Sequence, residues 1–228
     1  MSADSPYVIV TGANRGIGLA CVRAFVDAGL HVAMVARDAN SLAEAAKEFG
    51  TQVRVCVCDV GNSSQVSRVA AALIAEWGVP RAVVHNAGIV RRAAVEHMTD
   101  EDWNATTSVN LSAAFYLTRE TTAAMKKAGA GRHVYIASIS STLGTPQLSA
   151  YCAAKWGVLG FMKSVAEELR GTGVQALAVL PGSVDTRMLE GSGFAPQMSP
   201  ADVAGTVVYA ALHAPSAMNG SAIEVFGP

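Results

Sequence analysis

Tyr151 and Lys155 are the residues of this sequence whose types and spacing best suit proton transfer. Positions i and i+4 of a helix share a face, so the phenol and the ammonium would point into the same space. A phenol has an ordinary pKa of about 10, and it exchanges protons near neutral pH only when a positive charge stabilises its phenolate. Because a tyrosine and a lysine at this spacing occur on many helices, the pair predicts a catalytic site only together with other motifs.

Glycines in the turn after the first predicted strand indicate a second kind of chemistry, the binding of phosphate. The turn reads Thr11-Gly12-Ala13-Asn14-Arg15-Gly16-Ile17-Gly18 and opens a helix predicted to run to about residue 28. Glycines let the backbone approach a pyrophosphate closely, and the helix N-terminus offers unpaired N–H groups and a positive dipole end. The Gly-x-x-x-Gly-x-Gly spacing is not the commoner dinucleotide fingerprint. Its position between the first strand and the first helix nevertheless favours phosphate binding over a simple turn.

Short β-branched runs alternate with longer helical patterns along the whole chain, and these elements must position both motifs. Several of the runs are apolar without interruption, which is typical of a parallel sheet covered on both faces. The predicted strands are residues 7–10, 32–35, 53–57, 82–84, 134–137, 175–179 and 223–226. The sequence therefore predicts an α/β fold, a single-domain Rossmann fold over residues 1–228. Its doubly wound parallel seven-stranded sheet carries helices on both faces and right-handed crossovers.

Helix boundaries are predicted from capping residues. Ser63 or Ser64 is expected to cap a helix that runs to Trp77. Thr99, followed by Asp102, resembles a capping box for a long helix reaching about residue 127. The run Ser199-Pro200-Ala201-Asp202 places a cap, a proline in the first turn and an acid near the positive helix end.

Composition excludes several classes of function. The 228 residues carry 17 basic and 18 acidic side chains, so net charge gives no reason to expect nucleic acid or an anionic membrane as partner. A hydrophobic fraction of 51% excludes disorder. No run of about 20 mostly apolar residues predicts a transmembrane helix, and no basic segment followed by an apolar core predicts a secretory signal. The four cysteines show no zinc-ligand spacing, so we expect no metal site, free thiols and a cytoplasmic location.

The order of the motifs resembles the short-chain dehydrogenase/reductase family, and the resemblance covers essentially the whole chain. The Thr-Gly-x-x-x-Gly-x-Gly turn is similar to that family's cofactor loop. Asp59-Val60 resembles its adenine contact, and Asn86-Ala87-Gly88 its Asn-Ala-Gly motif. His85 stands where the family often has a second asparagine. Pro181-Gly182-Ser183-Val184-Asp185-Thr186 resembles the family's Pro-Gly turn near the nicotinamide carboxamide.

The resemblance implies a catalytic tetrad. Tyr151 would be the general acid in reduction and the base in oxidation, and Ser138, thirteen residues earlier, would hold the substrate oxygen. Lys155 would lower the tyrosine pKa and bind the nicotinamide ribose, while Asn110 would hold a water that extends the proton path. Ser140 and Ser141 are alternatives for the serine role. Cofactor contacts are implied for Gly12, Asn14, Arg15, Gly16, Ile17, Gly18, Asp59, Val60, Asn86, Ala87, Gly88, Tyr151, Lys155, Pro181, Gly182, Val184 and Thr186.

The end of the second predicted strand indicates which dinucleotide is bound. NAD-preferring enzymes usually place an acid there that grips the ribose hydroxyls, whereas a 2′-phosphate needs positive charge. Here Ala36 occupies that place and Arg37 follows it, with Arg15 in the glycine turn. Two guanidiniums suit a phosphate dianion, so NADP(H) is predicted. Asp38 leaves NAD(H) open, because it could accept from a ribose hydroxyl or pair with Arg37.

Residues 188–198 are predicted to cover the substrate as a flexible lid, with an exposed surface loop as the alternative. Its apolar residues are Met188, Leu189, Phe194 and Met198. Met188 and Phe194 are predicted substrate contacts beside Ser138 and Tyr151. Arg91 and Arg92 are candidates for an anionic carrier such as acyl carrier protein, with solvated surface as the alternative.

These features together predict an NADPH-dependent reductase of a 3-oxoacyl or small carbonyl compound, similar to β-ketoacyl-carrier-protein reductases and broad-range carbonyl reductases. An NAD-dependent alcohol dehydrogenase of the same fold and a non-catalytic dinucleotide-binding sensor are the alternatives. The resemblance also implies a homotetramer or homodimer formed through the long helices at residues 100–127 and 148–170.

Overall fold

The computed structural model describes residues 6–227, which form a seven-stranded, fully parallel sheet flanked by helices. The strand order is β3-β2-β1-β4-β5-β6-β7, so the chain leaves the sheet centre in one direction and returns to build the other half. The strands are β1 (Tyr7–Thr11), β2 (His31–Ala36), β3 (Val53–Val57), β4 (Ala82–His85), β5 (Gly131–Ile136), β6 (Val174–Pro181) and β7 (Ala222–Val225). All seven predicted strands are confirmed, and no boundary is shifted by more than three residues.

The helices lie on both faces of the sheet, as the unbroken apolar strands predict. They are α1 (Gly16–Asp27), α2 (Ala39–Ala46), α3 (Ser63–Trp77), α4 (Asp100–Thr107), α5 (Ala113–Ala128), α6 (Ser149–Glu168) and α7 (Pro200–Val208). One apolar cluster packs α3, α5 and α6 against one face. A second cluster packs α1, α2 and α7 against the other. The central strands are consequently buried on both sides, and β1 is fully buried along its length.

One predicted helix cap is wrong, and a second is confirmed without the reciprocal half of its capping box. Asn62, not Ser63 or Ser64, caps α3, because its backbone is extended and its side-chain oxygen accepts from the Gln65 amide at 3.1 Å. Thr99 caps α4 by accepting from the Asp102 amide. The reciprocal half of the box is missing among the described contacts, since the Asp102 carboxylate pairs with Arg91.

The remaining boundary predictions concern α7 and the long helix before β5. Ser199 and Asp202 form the complete capping box that the sequence predicts for α7. The long helix is interrupted, because a π-helical segment, Ser108–Ser112, joins α4 to α5. This segment inserts a wider turn into the helix, and it contains Asn110.

The order of the strands brings the cofactor motifs to one place. The sheet reverses its direction of growth between the neighbouring strands β1 and β4. The carboxyl ends of these two strands carry the glycine turn and the Asn86-Ala87-Gly88 segment. In open parallel sheets, ligands bind in the crevice at such a switch point.

Candidate active site

Thr11 ties the two cofactor motifs together at the switch point. Its hydroxyl donates to the Val84 carbonyl and accepts from the amides of Asn86 and Ala87, both at 3.0 Å. The Asn86 amide group donates to the carbonyls of Thr11 and Gly12. The side chain of Asn86 therefore holds the start of the glycine turn through its hydrogen bonds to two backbone carbonyls.

The glycine turn forms a cradle whose three glycine positions would not accommodate a side chain without strain. A Cβ at Gly18 would collide with the Gly12 carbonyl and lie 2.6 Å from the Asn86 side-chain nitrogen. Gly12 and Gly16 have φ of +65° and +54°, a left-handed conformation that favours glycine. Across the turn, a Cβ at Gly16 would lie 3.3 Å from the Thr186 methyl group.

The N-terminus of α1 is left open by its own residues. Arg15 occupies the N-cap position and makes no side-chain cap hydrogen bond, whereas α2, α3, α4 and α7 are all capped by a side chain. Unpaired amides and a positive dipole end at the base of a glycine cradle suit a pyrophosphate. These residues fit the dinucleotide that the sequence predicts.

The end of β2 presents positive charge beside this cradle. Arg15 and Arg37 are both exposed, and within residues 6–227 neither guanidinium pairs with a carboxylate. Asp38 is instead the N-cap of α2, where its carboxylate accepts from the Ser41 amide at 2.7 Å. Hydrogen bonding from the Ser41 side chain is the largest cause that lowers the pKa of Asp38, followed by the bond from the Ser41 amide and, after both, by the charge of Arg37. The Asn14 side chain donates to the Ser41 hydroxyl, which links the glycine turn to α2.

The turn after β3 contains Asp59 and Val60, for which the sequence predicts an adenine contact. The Asp59 carboxylate accepts from the Gly61 amide within its own turn at 3.0 Å, and its backbone amide donates to Gln65. Val60 is buried in the apolar cluster shared with α3. Asp59 and Val60 therefore shape this turn, and their contact with adenine stays a prediction.

Tyr151 and Lys155 are both buried on α6, one turn apart, as their spacing predicts. Burial is the largest cause that raises the pKa of the Tyr151 hydroxyl, and hydrogen bonding from the Ser138 side chain opposes it. The Lys155 ammonium donates to the Ile136 carbonyl at 2.7 Å and lies 5.7 Å from the centre of the Tyr151 ring. Burial lowers the pKa of Lys155 from 10.5 to about 8.

The three serines after β5 have different surroundings. Ser138 is buried, and its hydroxyl accepts from the Ser140 amide at 3.1 Å. The Ser141 hydroxyl donates to the Lys155 carbonyl at 2.8 Å, so it anchors the segment after β5 to α6. Of the three, Ser138 is the one whose side chain lowers the pKa of the Tyr151 hydroxyl.

Asn110 lies buried in the π-helical segment and clamps the chain after Gly88. Its side-chain oxygen accepts from the Ile89 amide, and its side-chain nitrogen donates to the Ile89 carbonyl, both at 2.8 Å. Each half of the amide thus makes one hydrogen bond to Ile89. One N–H and one oxygen lone pair of the side chain are not used by Ile89, so the predicted role of Asn110 in holding a water stays a prediction.

The chain after β6 returns over the glycine turn. Pro181 ends the strand, and the Gly182 amide donates to the Val225 carbonyl. Val184 is buried and pairs with Met198 in an isolated bridge. Thr186 then reaches the glycine turn, where its methyl group faces Gly16.

Met198 is not part of a substrate cover, contrary to the sequence prediction. It is buried in the cluster beneath α7, and its carbonyl accepts from the Asp185 amide, so it closes the base of the segment 188–198. Phe194 is 60% exposed and is also not brought to the site among the described residues. Met188 is brought there, because its terminal methyl would lie 3.7 Å from a Cβ on Gly88.

One functional position escaped the sequence analysis, and a second was predicted without its contacts. Thr11 is predicted only as the first residue of the glycine turn, although its hydroxyl joins β1 to β4. Arg92 is predicted as a candidate for an anionic carrier, and the structure adds that it donates to the Met188 carbonyl at 3.0 Å and that its charge lowers the pKa of Tyr151. The first had a signal in the Thr-Gly pair of the motif, and the second had none beyond its charge.

The fold and the site define a class of protein: a dinucleotide-binding α/β fold with a buried Ser-Tyr-Lys arrangement beside the cofactor crevice. The family model described as short chain dehydrogenase matches residues 6–194. The chain belongs to this family of oxidoreductases.

Curated relatives of known name span most of the chain. It is 34% identical over 188 residues to the 3-oxoacyl-(acyl-carrier-protein) reductase FabG of Salmonella typhimurium, covering 82% of this chain and 77% of that protein. It is 31% identical over 240 residues to D-threitol dehydrogenase of Mycolicibacterium smegmatis, covering 98% and 92%. It is 32% identical over 216 residues to a 3-oxoacyl-(acyl-carrier-protein) reductase of Synechocystis, covering 89% and 87%.

The described residues include neither a cluster of metal ligands nor a membrane-spanning helix. Within residues 6–227, no group of three or more His, Cys, Asp or Glu side chains is placed to hold a metal ion. None of the helices in this range is long and apolar enough to cross a membrane.

Proposed function

We propose that the protein is an NADPH-dependent reductase of a ketone or aldehyde, either a 3-oxoacyl compound or a small carbonyl compound. The observation that carries this proposal is the buried Tyr151 hydroxyl, with Ser138 acting on it and Lys155 one turn away, beside an open glycine cradle. The likeness to proteins named as 3-oxoacyl reductases supports reduction.

Tyr151 is suited to donate a proton at neutral pH. The cofactor held by the glycine turn and Lys155 would supply, when bound, the hydride for the carbonyl carbon and would be oxidised in turn. The carbonyl oxygen then takes the proton of the Tyr151 hydroxyl as the C=O double bond becomes an alcohol C–O bond. With an ordinary pKa of about 10 that burial raises further, the hydroxyl is protonated near pH 7, and its proton leaves only if the Lys155 charge stabilises the phenolate. Ser138 orients the substrate oxygen toward it by a hydrogen bond.

Lys155 keeps a positive charge close to the tyrosine. Its lowered pKa of about 8 still leaves it largely protonated near neutral pH. The ammonium has three donors, of which one is used by the Ile136 carbonyl. The other two are available to the cofactor ribose and to the phenolate that forms when Tyr151 gives up its proton.

The preference for NADPH rests on the charges at the end of β2. Arg15 and Arg37 are exposed without carboxylate partners among the described residues, while Asp38 is engaged at the start of α2. We expect Arg37→Ala to lower kcat/KM for NADPH about tenfold, the value of one charge-assisted hydrogen bond, and to leave NADH unaffected. A wild-type enzyme that prefers NADH would contradict this part of the proposal.

An NAD-dependent alcohol dehydrogenase is the second candidate function. The likeness to a protein named D-threitol dehydrogenase over 98% of the chain favours it. The comparison of NADPH and NADH in both reaction directions separates the two. A non-catalytic sensor gains no support, since all four residues of the tetrad are present.

The decisive experiment replaces the tyrosine. We expect Tyr151→Phe to reduce NADPH-dependent turnover of ketones by about 10²-fold or more, the size of a general-acid contribution, while NADPH still binds. Tyr209→Phe is the matched control, because this exposed hydroxyl contacts only Met218 among the described residues. The assay is NADPH consumption with 3-oxoacyl thioesters, simple ketones, diketones and quinones, and binding is followed by cofactor fluorescence. Turnover that survives in Tyr151→Phe would overturn the mechanism.

Assembly and location complete the proposal. Trp103, Phe115 and Trp156 are 42%, 43% and 52% exposed on the helices that the sequence predicts to pair. Large exposed apolar side chains on neighbouring helices suit contact with a second copy, so a homodimer or homotetramer is proposed. Light scattering of the purified chain tests it. The four free cysteines fit a reducing, cytoplasmic location.

A further inference from the structure

Arg92 stands at the entrance of the site, between the segment 188–198 and the catalytic tyrosine. Its guanidinium donates to the Met188 carbonyl at 3.0 Å. The neighbouring Ala93 amide donates to the Gln147 carbonyl at 3.1 Å, just before α6. The backbone at Arg92 is therefore tied to the segment that leads into Tyr151, while its side chain reaches the opposite side of the entrance.

The charge of Arg92 is not neutralised by the protein. One of its N–H groups bonds to a backbone carbonyl, and within residues 6–227 no carboxylate pairs with it. Arg91 gives the contrast, since it pairs with Asp102 at 3.3 Å on α4. Among the described residues, Arg91 is neutralised by a carboxylate, whereas the charge of its neighbour Arg92 is free to bind an anion.

The position of Arg92 lets it act on a molecule bound at the tyrosine. Its charge lowers the pKa of the Tyr151 hydroxyl, so the two groups interact electrostatically. The terminal methyl of Met188 and the Asn110 side-chain oxygen both lie near Gly88, 3.7 Å and 3.5 Å from the place of a Cβ on that residue. A substrate whose carbonyl oxygen meets Tyr151 and Ser138 would extend past Met188 toward the guanidinium.

We propose that Arg92 binds a carboxylate of the substrate, so that the substrates are oxo acids whose ketone lies a few bonds from the carboxylate. This inference rests on the proposed carbonyl reduction and adds the class of substrate. A planar guanidinium fork matches a carboxylate in two parallel hydrogen bonds. A single uncompensated cation balances one negative charge, which suits a carboxylate better than a phosphate dianion. The carboxylate itself is unchanged by the reaction.

The test compares each oxo acid with its uncharged carboxamide. The panel contains 2-oxo, 3-oxo and 4-oxo acids and the matching oxo amides, assayed by NADPH consumption. We expect the wild type to prefer at least one acid over its amide by tenfold or more in kcat/KM. Arg92→Gln should remove this preference, so that the ratio of kcat/KM for acid to amide falls to about one whatever the rate with the amide. Arg92→Lys, which keeps the charge and loses the fork, should retain part of the preference.

Arg91→Gln is the matched control, because it removes the same charge from the same loop. It should keep the wild-type ratio of acid to amide. A merely structural role of Arg92 in holding the segment 188–198 would lower the rates with acids and amides alike and leave their ratio unchanged, which would overturn the inference. Equal rates with acids and amides in the wild type would also overturn it. Failure to reduce any ketone, charged or neutral, would instead refute the proposed function.

Discussion

Lys155→Met tests whether the catalytic lysine is held in the site at the expense of stability. The side chains have similar lengths, and the methionine is apolar, so the substitution removes a buried charge with little change in packing. Burial alone accounts for the lowered pKa of Lys155, which falls from 10.5 to about 8. Catalysis should be lost. The informative quantity is the free energy of unfolding as a function of pH.

The size of the effect follows from the two pKa values. Because the folded-state pKa lies below the unfolded value, the unfolded chain binds more protons between about pH 8 and 10.5, and stability rises with pH in that window. A shift of about 2.5 units corresponds to about 3 kcal/mol of destabilisation near pH 7. Roughly 2 kcal/mol of it is relieved by about pH 9.5. Lys155→Met also loses the hydrogen bond to the Ile136 carbonyl, which contributes about 1.5–3 kcal/mol. At both pH values this loss opposes the stability that the variant gains by removing the buried charge.

The wild type should therefore gain about 2 kcal/mol relative to Lys155→Met between near-neutral pH and about pH 9.5. Near pH 7 the two proteins should be similarly stable. Urea unfolding of the cofactor-free protein at both pH values, at one fixed protomer concentration, measures the difference. Lys163→Met is the control, because Lys163 donates to the Gly220 carbonyl from an exposed position on the same helix. A stability difference for Lys155→Met that does not change with pH would refute the reasoning.

Three further predictions concern the cradle, a buried histidine and a cap. Gly18→Ala should abolish NADPH binding and lower the yield of folded protein, because the added Cβ would collide with the Gly12 carbonyl. Gly205→Ala, where a Cβ meets only open space on α7, should instead raise the free energy of unfolding in urea by about 0.5–1 kcal/mol. Burial lowers the pKa of His133 from 6.5 to about 3, so folding stability should fall as pH drops below about 6.5. His133→Gln should lose less stability than the wild type between about pH 7 and 4.5, and an equal loss would contradict this. Ser199→Ala should cost about 1 kcal/mol by removing the capping box of α7, measured in the same unfolding assay.

The fold could be predicted because its strands differ in kind from its helices. Runs such as residues 32–35 are apolar without interruption, and only burial on both faces accommodates them. When seven strands alternate with helices along the chain, the rule of right-handed crossovers allows only a few orders of the strands in the sheet. Boundaries were less accurate. Asn62 and Ser63 are both good caps, and the backbone conformation of Asn62, not its type, decides between them.

The segment 188–198 shows what local pattern cannot provide. Its apolar residues are similar in type, yet Met198 lies in the core, Met188 faces Gly88 and Phe194 is exposed. Their directions are set by the backbone pairing of Asp185 with Met198, which draws the two ends of the segment together. That pairing joins Asp185 of the Pro-Gly turn to Met198, which no motif of the sequence marks.

The two asparagines of the site show why residue type could be predicted there and role could not. Asn86 and Asn110 both use their side-chain amides on backbone groups, Asn86 on the glycine turn and Asn110 on both polar atoms of Ile89. Asn110 needs an acceptor and a donor together, and an aspartate or leucine of similar size cannot supply both. The wider turn of the π-helical segment is part of the backbone that carries this amide beside Ile89. Nothing in the residues Ser108–Ser112 predicts that turn. The amide of Asn110 therefore positions the chain beside Gly88, and the bonds to Ile89 leave it one N–H and one oxygen lone pair for a water.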